Sequence, residues 1–338
     1  MNDRADLVGE RIASLRGLIA DRGAAALRLD SRRDFAWLTL GGLNHVLLSS
    51  EQGVAPVIVT ANEAVVLAPV NEQERIVDEE LNGLPIRTQS LPWWDETAAE
   101  REARTIAGEG KVLTANDLAG ELEAARSQLT PFEHDRMREI AGIVVEALDF
   151  GLDSIGTGYT EDQLSATIAG HVATVGARLP VILVAADHRI DVYRHPLPTD
   201  TPIRRRVMVV VVVEKWGLHV AATRFRELKP PSSEVRARAT AVDEVLARMN
   251  AATVVGNTFD DVLAAARAAY TEQGMAHEWE LHHQGGSIGY AGRERIARPG
   301  DSTPIRAGMA FAWNPSAVGY KAETTLLLAP DGAQEILT

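Results

Sequence analysis

The sequence contains no cysteine, which excludes thiolate nucleophiles, disulfides, iron–sulfur clusters and thiolate zinc sites. Chemistry must therefore run on imidazole, carboxylate, hydroxyl or cationic side chains. Lys321 and Glu323 stand two apart in a run that reads as a strand, so both side chains would leave the same face. A carboxylate on a buried strand either pairs with a cation or carries a raised pKa, and Lys321 is the partner within reach. His282 and His283 precede Gln284-Gly285-Gly286. Neighbours on a strand point to opposite faces, so only one of the two imidazoles would face a common pocket. Imidazole titrates near neutrality and can carry a proton from water to a leaving group. The paired glycines would bring bare backbone close to that pocket, which suits a polar ligand bound by amide groups.

These groups need a scaffold, and 338 residues suggest two domains. A formal net charge of -13 argues against nucleic acid and anionic lipid as partners, because both need a basic face. Small-molecule or protein partners are expected. The N-terminal stretch alternates charge with single apolar residues and lacks the apolar core of a signal peptide. The longest strongly apolar run, Val207 to Val213, is too short to span a bilayer. The expected location is the cytoplasm.

Leu7, Ile12, Leu15 and Ile19 recur at roughly helical spacing and Gly23 follows as a stop signal, so a helix opens the chain. ALRL, DFAWLTL, APVIVT and AVVLAP are short apolar or β-rich runs, with helical stretches near 71–82 and 97–107. The boundary falls before Thr130-Pro131-Phe132-Glu133, a capping box with proline at the first helical position. From there Met137, Ile140, Val144 and Leu148 keep a helical period to an expected end at Gly151, and Thr160 with Gln163 caps another helix running through His171. VILVAA and VMVVVVV read as buried strands, 233–250 and 258–273 as helices, and MAFAW and ETTLLLA as closing strands. The expected domains are 1–126 and 127–338, the second built in two similar rounds of helices and strands.

The motifs TPFEHDRMREIAGIV, TGYTEDQL, RHPLPT, GLHVAATR, LHHQGGSIG, IRAGMAFAWNP and KAETTLLL occur in the order found in the pita-bread enzymes. The chain thus resembles the creatinase, prolidase, aminopeptidase P and methionine aminopeptidase superfamily over its whole second domain. DFAWLTLGG and RIVDEEL extend the resemblance, more loosely, to a creatinase-like N-terminal domain. The implied fold is α/β (α+β): a creatinase-like N-terminal α/β domain followed by a pita-bread catalytic-type domain. In the metallopeptidases of this family two Asp, one His and two Glu hold two divalent metals that activate a bridging water. The matching positions here are Val210, Ala221, Gly286, Asn314 and Glu323, so the resemblance implies that only the last ligand survives and that no metal or other cofactor is used. Were the match shifted, Asp187 and Glu214 would be the replacement carboxylates to look for.

Creatinase is the family precedent for hydrolysis without metal, and its catalytic histidine matches His195 of Arg194-His195-Pro196. The resemblance further implies that Glu323 orients the reacting group, that His282 rather than His283 contacts substrate, and that Gly286 leaves room where a ligand stood. Asn314, Arg224, Thr223, Lys321 and Gln284 complete the implied substrate-binding set, with Arg189 and Arg293 as weaker candidates. Creatinase has a second Glu at the position of Thr223, so a strongly cationic substrate is not expected. In creatinase-like homodimers the N-terminal domain reaches the partner's site, and the matching loop here carries His45. The leading expectation is a metal-independent hydrolase acting on a C–N or C–O bond of a small anionic or zwitterionic metabolite. A catalytically inactive scaffold for ligand or protein binding is the alternative, and a metal-dependent Xaa-Pro aminopeptidase the second.

Overall fold

The computed structural model describes residues 4–338, which divide into two compact units, the first ending at Arg126 and the second running Ser127–Thr338. The first opens with α1 (Arg4–Asp21), whose Val8, Ile12, Leu15 and Ile19 form the buried stripe. It continues through β1 (Ala26–Ser31), α2 (Arg32–Leu38), β2 (Gln52–Thr60), β3 (Ala64–Pro69), α3 (Gln73–Arg75), β4 (Arg87–Leu91), α4 (Ala98–Ala107), β5 (Val112–Thr114) and α5 (Ala119–Ser127). The five strands form one sheet in the order β4-β3-β2-β1-β5. DFAWLTL, expected from its apolar content among the strand-like runs, instead lies largely in α2. Ser31 caps this helix by accepting the Asp34 N–H at 3.0 Å, a local signal that outweighs the β-leaning composition. Asp34 then pairs with Arg126 at 2.6 Å, with side chains 1% and 5% exposed. In the loop after α2, Asn44 is pinned to the Ala55 backbone through both its amide atoms, while His45 is half-buried.

The second unit repeats one plan twice. Its first round runs α6 (Pro131–Asp153), α7 (Glu161–Thr174), β6 (Arg178–Ala186), α8 (Arg189–Val192), β7 (Arg206–Lys215) and β8 (Leu218–Glu227). The second runs α9 (Ser233–Ala252), α10 (Phe259–Glu272), β9 (Gly285–Ile288), β10 (Arg295–Ile296), β11 (Ala310–Trp313), β12 (Ser316–Ala317), β13 (Tyr320–Lys321), β14 (Thr324–Leu328) and β15 (Gln334–Ile336). The expected capping boxes form at Thr130–Glu133 and Thr160–Gln163, and a third forms at Thr258–Asp261. α6 continues past Gly151 to Asp153, because the buried Gly151 faces Ile168 and Leu164 inside the helical packing.

β7 is central in the sheet β6-β7-β8, and all but its last residue are buried. Helices α6 and α7 pack on this sheet, and β8 also meets β11 and β14 of the sheet β10-β9-β11-β14-β15. Cover on both faces explains the uninterrupted valine run, since a strand with one wet face would alternate. The second round has its own apolar core, where Phe259, Phe311 and Trp313 pack together with the Phe311 and Trp313 rings stacked at 5.5 Å.

The turn after β6 is held by one carboxylate. Glu161, at the start of α7 and 0% exposed, accepts from Ala186 N at 2.7 Å, Thr199 N at 3.0 Å, Thr199 Oγ1 at 2.8 Å and Arg189 Nε at 3.0 Å. This clamp fixes both ends of the segment that carries His195. At the corresponding start of α10 stands Phe259, buried among aromatic rings.

Candidate functional site

Glu323, just before β14, is the centre of the site. Its Oε2 accepts from Thr223 Oγ1 of β8 at 2.9 Å and lies 3.2 Å from Lys321 Nζ. Its Oε1 accepts from Arg293 Nη2 at 2.9 Å and more distantly from Asn314 Nδ2 at 3.5 Å. The two-residue spacing therefore pairs Lys321 with Glu323 as expected, although Lys321 ends β13 and Glu323 lies in the turn to β14. Burial raises the Glu323 pKa, but Lys321 and Arg293, helped by the Thr223 hydrogen bond, outweigh it and bring the group down to about 2. Lys321 is drawn below its ordinary value by burial, against the pull of Glu323.

Three imidazoles gather beside this cluster. His282 Nε2 and His195 Nε2 are 2.9 Å apart, so one donates to the other. The His282 and His283 rings stack at 4.5 Å. The expectation that these neighbours face opposite ways is corrected: His282 sits in a bend before β9, outside the regular strand, so strand alternation does not apply. Among the described residues the three histidines are the one group whose ligand atoms, all within 4.8 Å of one another, could together take a cation. Burial, then repulsion from Lys321, lowers the pKa of His195. The same causes hold His282 down to about 2, while burial and then Arg293 bring His283 to about 4. All three are neutral at physiological pH, and His195 is the most exposed of them.

Other residues singled out in the sequence take different places. Gln284 is spent on packing: its Nε2 donates to His282 O and Trp279 O, and its Oε1 lies 3.0 Å from the Tyr270 hydroxyl. Arg224 follows Thr223 on β8, and alternation sends it to the other face, where it meets the Thr223 carbonyl and influences Tyr320. Arg189 is committed to Glu161. Arg293, the weaker candidate, is the arginine that reaches Glu323. The glycines leave no room, contrary to expectation: a Cβ at Gly286 would lie 1.9 Å from the Arg295 carbonyl oxygen, and one at Gly285 2.1 Å from that of Ala312. Asp187 is occupied by the backbone N–H groups of Arg204, Arg205 and Arg206, and Glu214 faces Arg178 at 3.7 Å. Arg194 went unrecognised as a site residue; beside His195 it binds Glu278 and donates to Ser316 Oγ at 3.2 Å, and its only sequence signal is that adjacency.

The description of metallopeptidase family M24 matches residues 135–332, and the chain belongs to that family. Its structure resembles a prolidase from Pyrococcus horikoshii OT3 at a TM-score of 0.80 and 16% identity, covering 97% of this chain and 98% of the other. An Xaa-Pro dipeptidase from Bacillus anthracis aligns at 0.76 and 18%, covering 98% and 97%. The N-terminal domain of FACT complex subunit SPT16 from chickpea, Cicer arietinum, aligns at 0.70 and 11%, covering 98% and 94%. At these identities the likeness is one of fold, and the fold is the pita-bread architecture expected from the motifs. No curated protein matches the chain. Among the described residues no helix is long and apolar enough to cross a membrane.

Proposed function

We propose that this chain is a metal-independent hydrolase that cleaves a C–N or C–O bond of a small anionic or zwitterionic metabolite, with His195 as general acid/base. The observation that carries the reading is the state of Glu323, whose oxygens are taken by Lys321, Arg293 and Thr223. The family implies a pair of metals, and the residues present do not fit one. Valine, alanine and glycine at 210, 221 and 286 offer no donor atoms, and Asn314 offers an uncharged amide. The Gly286 position cannot bear an imidazole on this backbone, since the Arg295 carbonyl fills its Cβ site. The three imidazoles supply nitrogen donors, but Lys321 and Arg293 act on them against Glu323 alone, so a dication would enter a site already positive.

Neutral His195 suits proton transfer. It takes a proton from water as the oxygen attacks the carbon of the scissile bond, then delivers that proton to the departing nitrogen or oxygen, so one water is added across the bond. His282 holds the ring through the 2.9 Å contact. Asn314, Lys321 and Thr223 line the acid that orients substrate. Convergence of these polar groups supports an enzyme over an inactive scaffold, because decay without selection would scatter them. The same reading takes the protein as a cytoplasmic homodimer acting on a small molecule.

Metal analysis of the purified protein should find well under one divalent ion per chain, and near-stoichiometric metal would restore the metallopeptidase reading. A thermal-shift screen of amidino, ureido, cyclic-amidine and amino-acid metabolites supplies a substrate. With it, His195→Ala should cost roughly 10²- to 10⁴-fold in turnover; undiminished turnover removes the role assigned to His195.

A further inference from the structure

We infer that this side-chain cluster takes a ligand with one carboxylate next to an N–H group, an N-acyl or N-carbamoyl amino acid, whose carboxylate lies against Lys321 and Arg293. The inference rests on reading this cluster as the substrate site, and the charge count narrows the substrate. Lys321 and Arg293 bring two positive charges and Glu323 one negative, leaving one positive charge on side chains that are 6%, 15% and 2% exposed. The histidines beside them supply no negative charge. Arg194, the next cation along, is already paired with Glu278. An excess charge shielded from water calls for a counter-ion, and a carboxylate supplies one with directed acceptors.

Unmet hydrogen-bonding capacity points the same way. Lys321 has three donors, of which Glu323 occupies one. Arg293 gives Nη1 to Gly292 O and Nη2 to Glu323, while its buried Nε has no partner. Those spare donors want an acceptor. Asn314 Oδ1, buried and without a partner, wants a donor. A carboxylate with a neighbouring N–H supplies both, and in an N-acyl or N-carbamoyl amino acid that N–H belongs to a C–N bond of the type His195 would open.

Calorimetric titration of the intact protein compares two acids, N-acetylglycine and N-carbamoylglycine, with their neutral counterparts N-acetylglycinamide and N-carbamoylglycinamide. The acids should bind roughly tenfold more tightly or better, the worth of one charge-assisted hydrogen bond. Amides that bind as tightly as the acids, or acids that fail to bind, overturn the inference. Lys321→Met and Arg293→Gln should abolish the preference, and a preference that survives both substitutions would overturn the assignment. The wild-type comparison stands even where a variant fails to fold. The two readings also fail separately. Acid-selective binding with full turnover in His195→Ala sinks the catalytic proposal alone, and indifference to charge with His195-dependent turnover sinks this one alone.

Discussion

The two rounds of the second unit use the same local device and fill it differently. In each, a threonine caps a helix, at Thr160 and Thr258, and bridges to a proline at Pro202 and Pro304 that precedes the next element. The residue after the cap is Glu161 in the first round and Phe259 in the second, each with no exposure. Glu161 gathers backbone N–H groups, Thr199 and Arg189, and so fixes a long irregular segment bearing His195. Phe259 gathers rings and fixes a core. A buried charge with directed partners can hold a loop in one geometry, whereas apolar packing holds whole elements together.

The sharpest way to break this comparison is to remove both plugs. Glu161→Ala strands Arg189 and several backbone donors and should cost roughly 3–5 kcal/mol, the usual penalty for halving a buried pair. Phe259→Ala opens a cavity and should cost about as much, roughly 3–5 kcal/mol. Urea melts should show both losses alike. Turnover or ligand binding per folded molecule should collapse only in Glu161→Ala, and equal losses would mean that the clamp does not position His195.

A smaller effect separates the regions by pH. Unfolded His282 and His283 ionise near 6.5, but in the folded chain they do so at about 2 and about 4. As pH falls from 6.5 towards 4 the unfolded chain takes up protons that the folded chain refuses, so stability declines through that window. His282→Gln should flatten the decline in melting temperature, while Phe259→Leu should leave its slope unchanged. Smallest of all, Thr160→Ala and Thr258→Ala each remove one cap and should each cost about 1 kcal/mol by chemical denaturation. Unequal costs would show that the two rounds are not mechanical equivalents.

Much of this was legible in the sequence because it depends on local chemistry. Thr130 and Thr160 announced their helices through the Glu and Gln three residues on, and the valine run announced a strand covered on both faces. Lys321 and Glu323 met because their spacing nearly suffices. What escaped depends on departures from regular backbone. The His282–His283 bend defeats a rule that holds only for strands, and Arg224 was favoured over Arg293 because a motif match does not say which face of β8 a side chain leaves. Gly286 looked like open space, yet the neighbour that fills it is nine residues away at Arg295 and is main chain, which has no compositional signature.

That main-chain contact bears on the engineering of this scaffold. No codon change at 286 alone can graft an imidazole there, because the obstacle is a carbonyl oxygen on the adjacent strand rather than a side chain that could be trimmed. A designer wishing to install such a group would first have to move β10 away from β9.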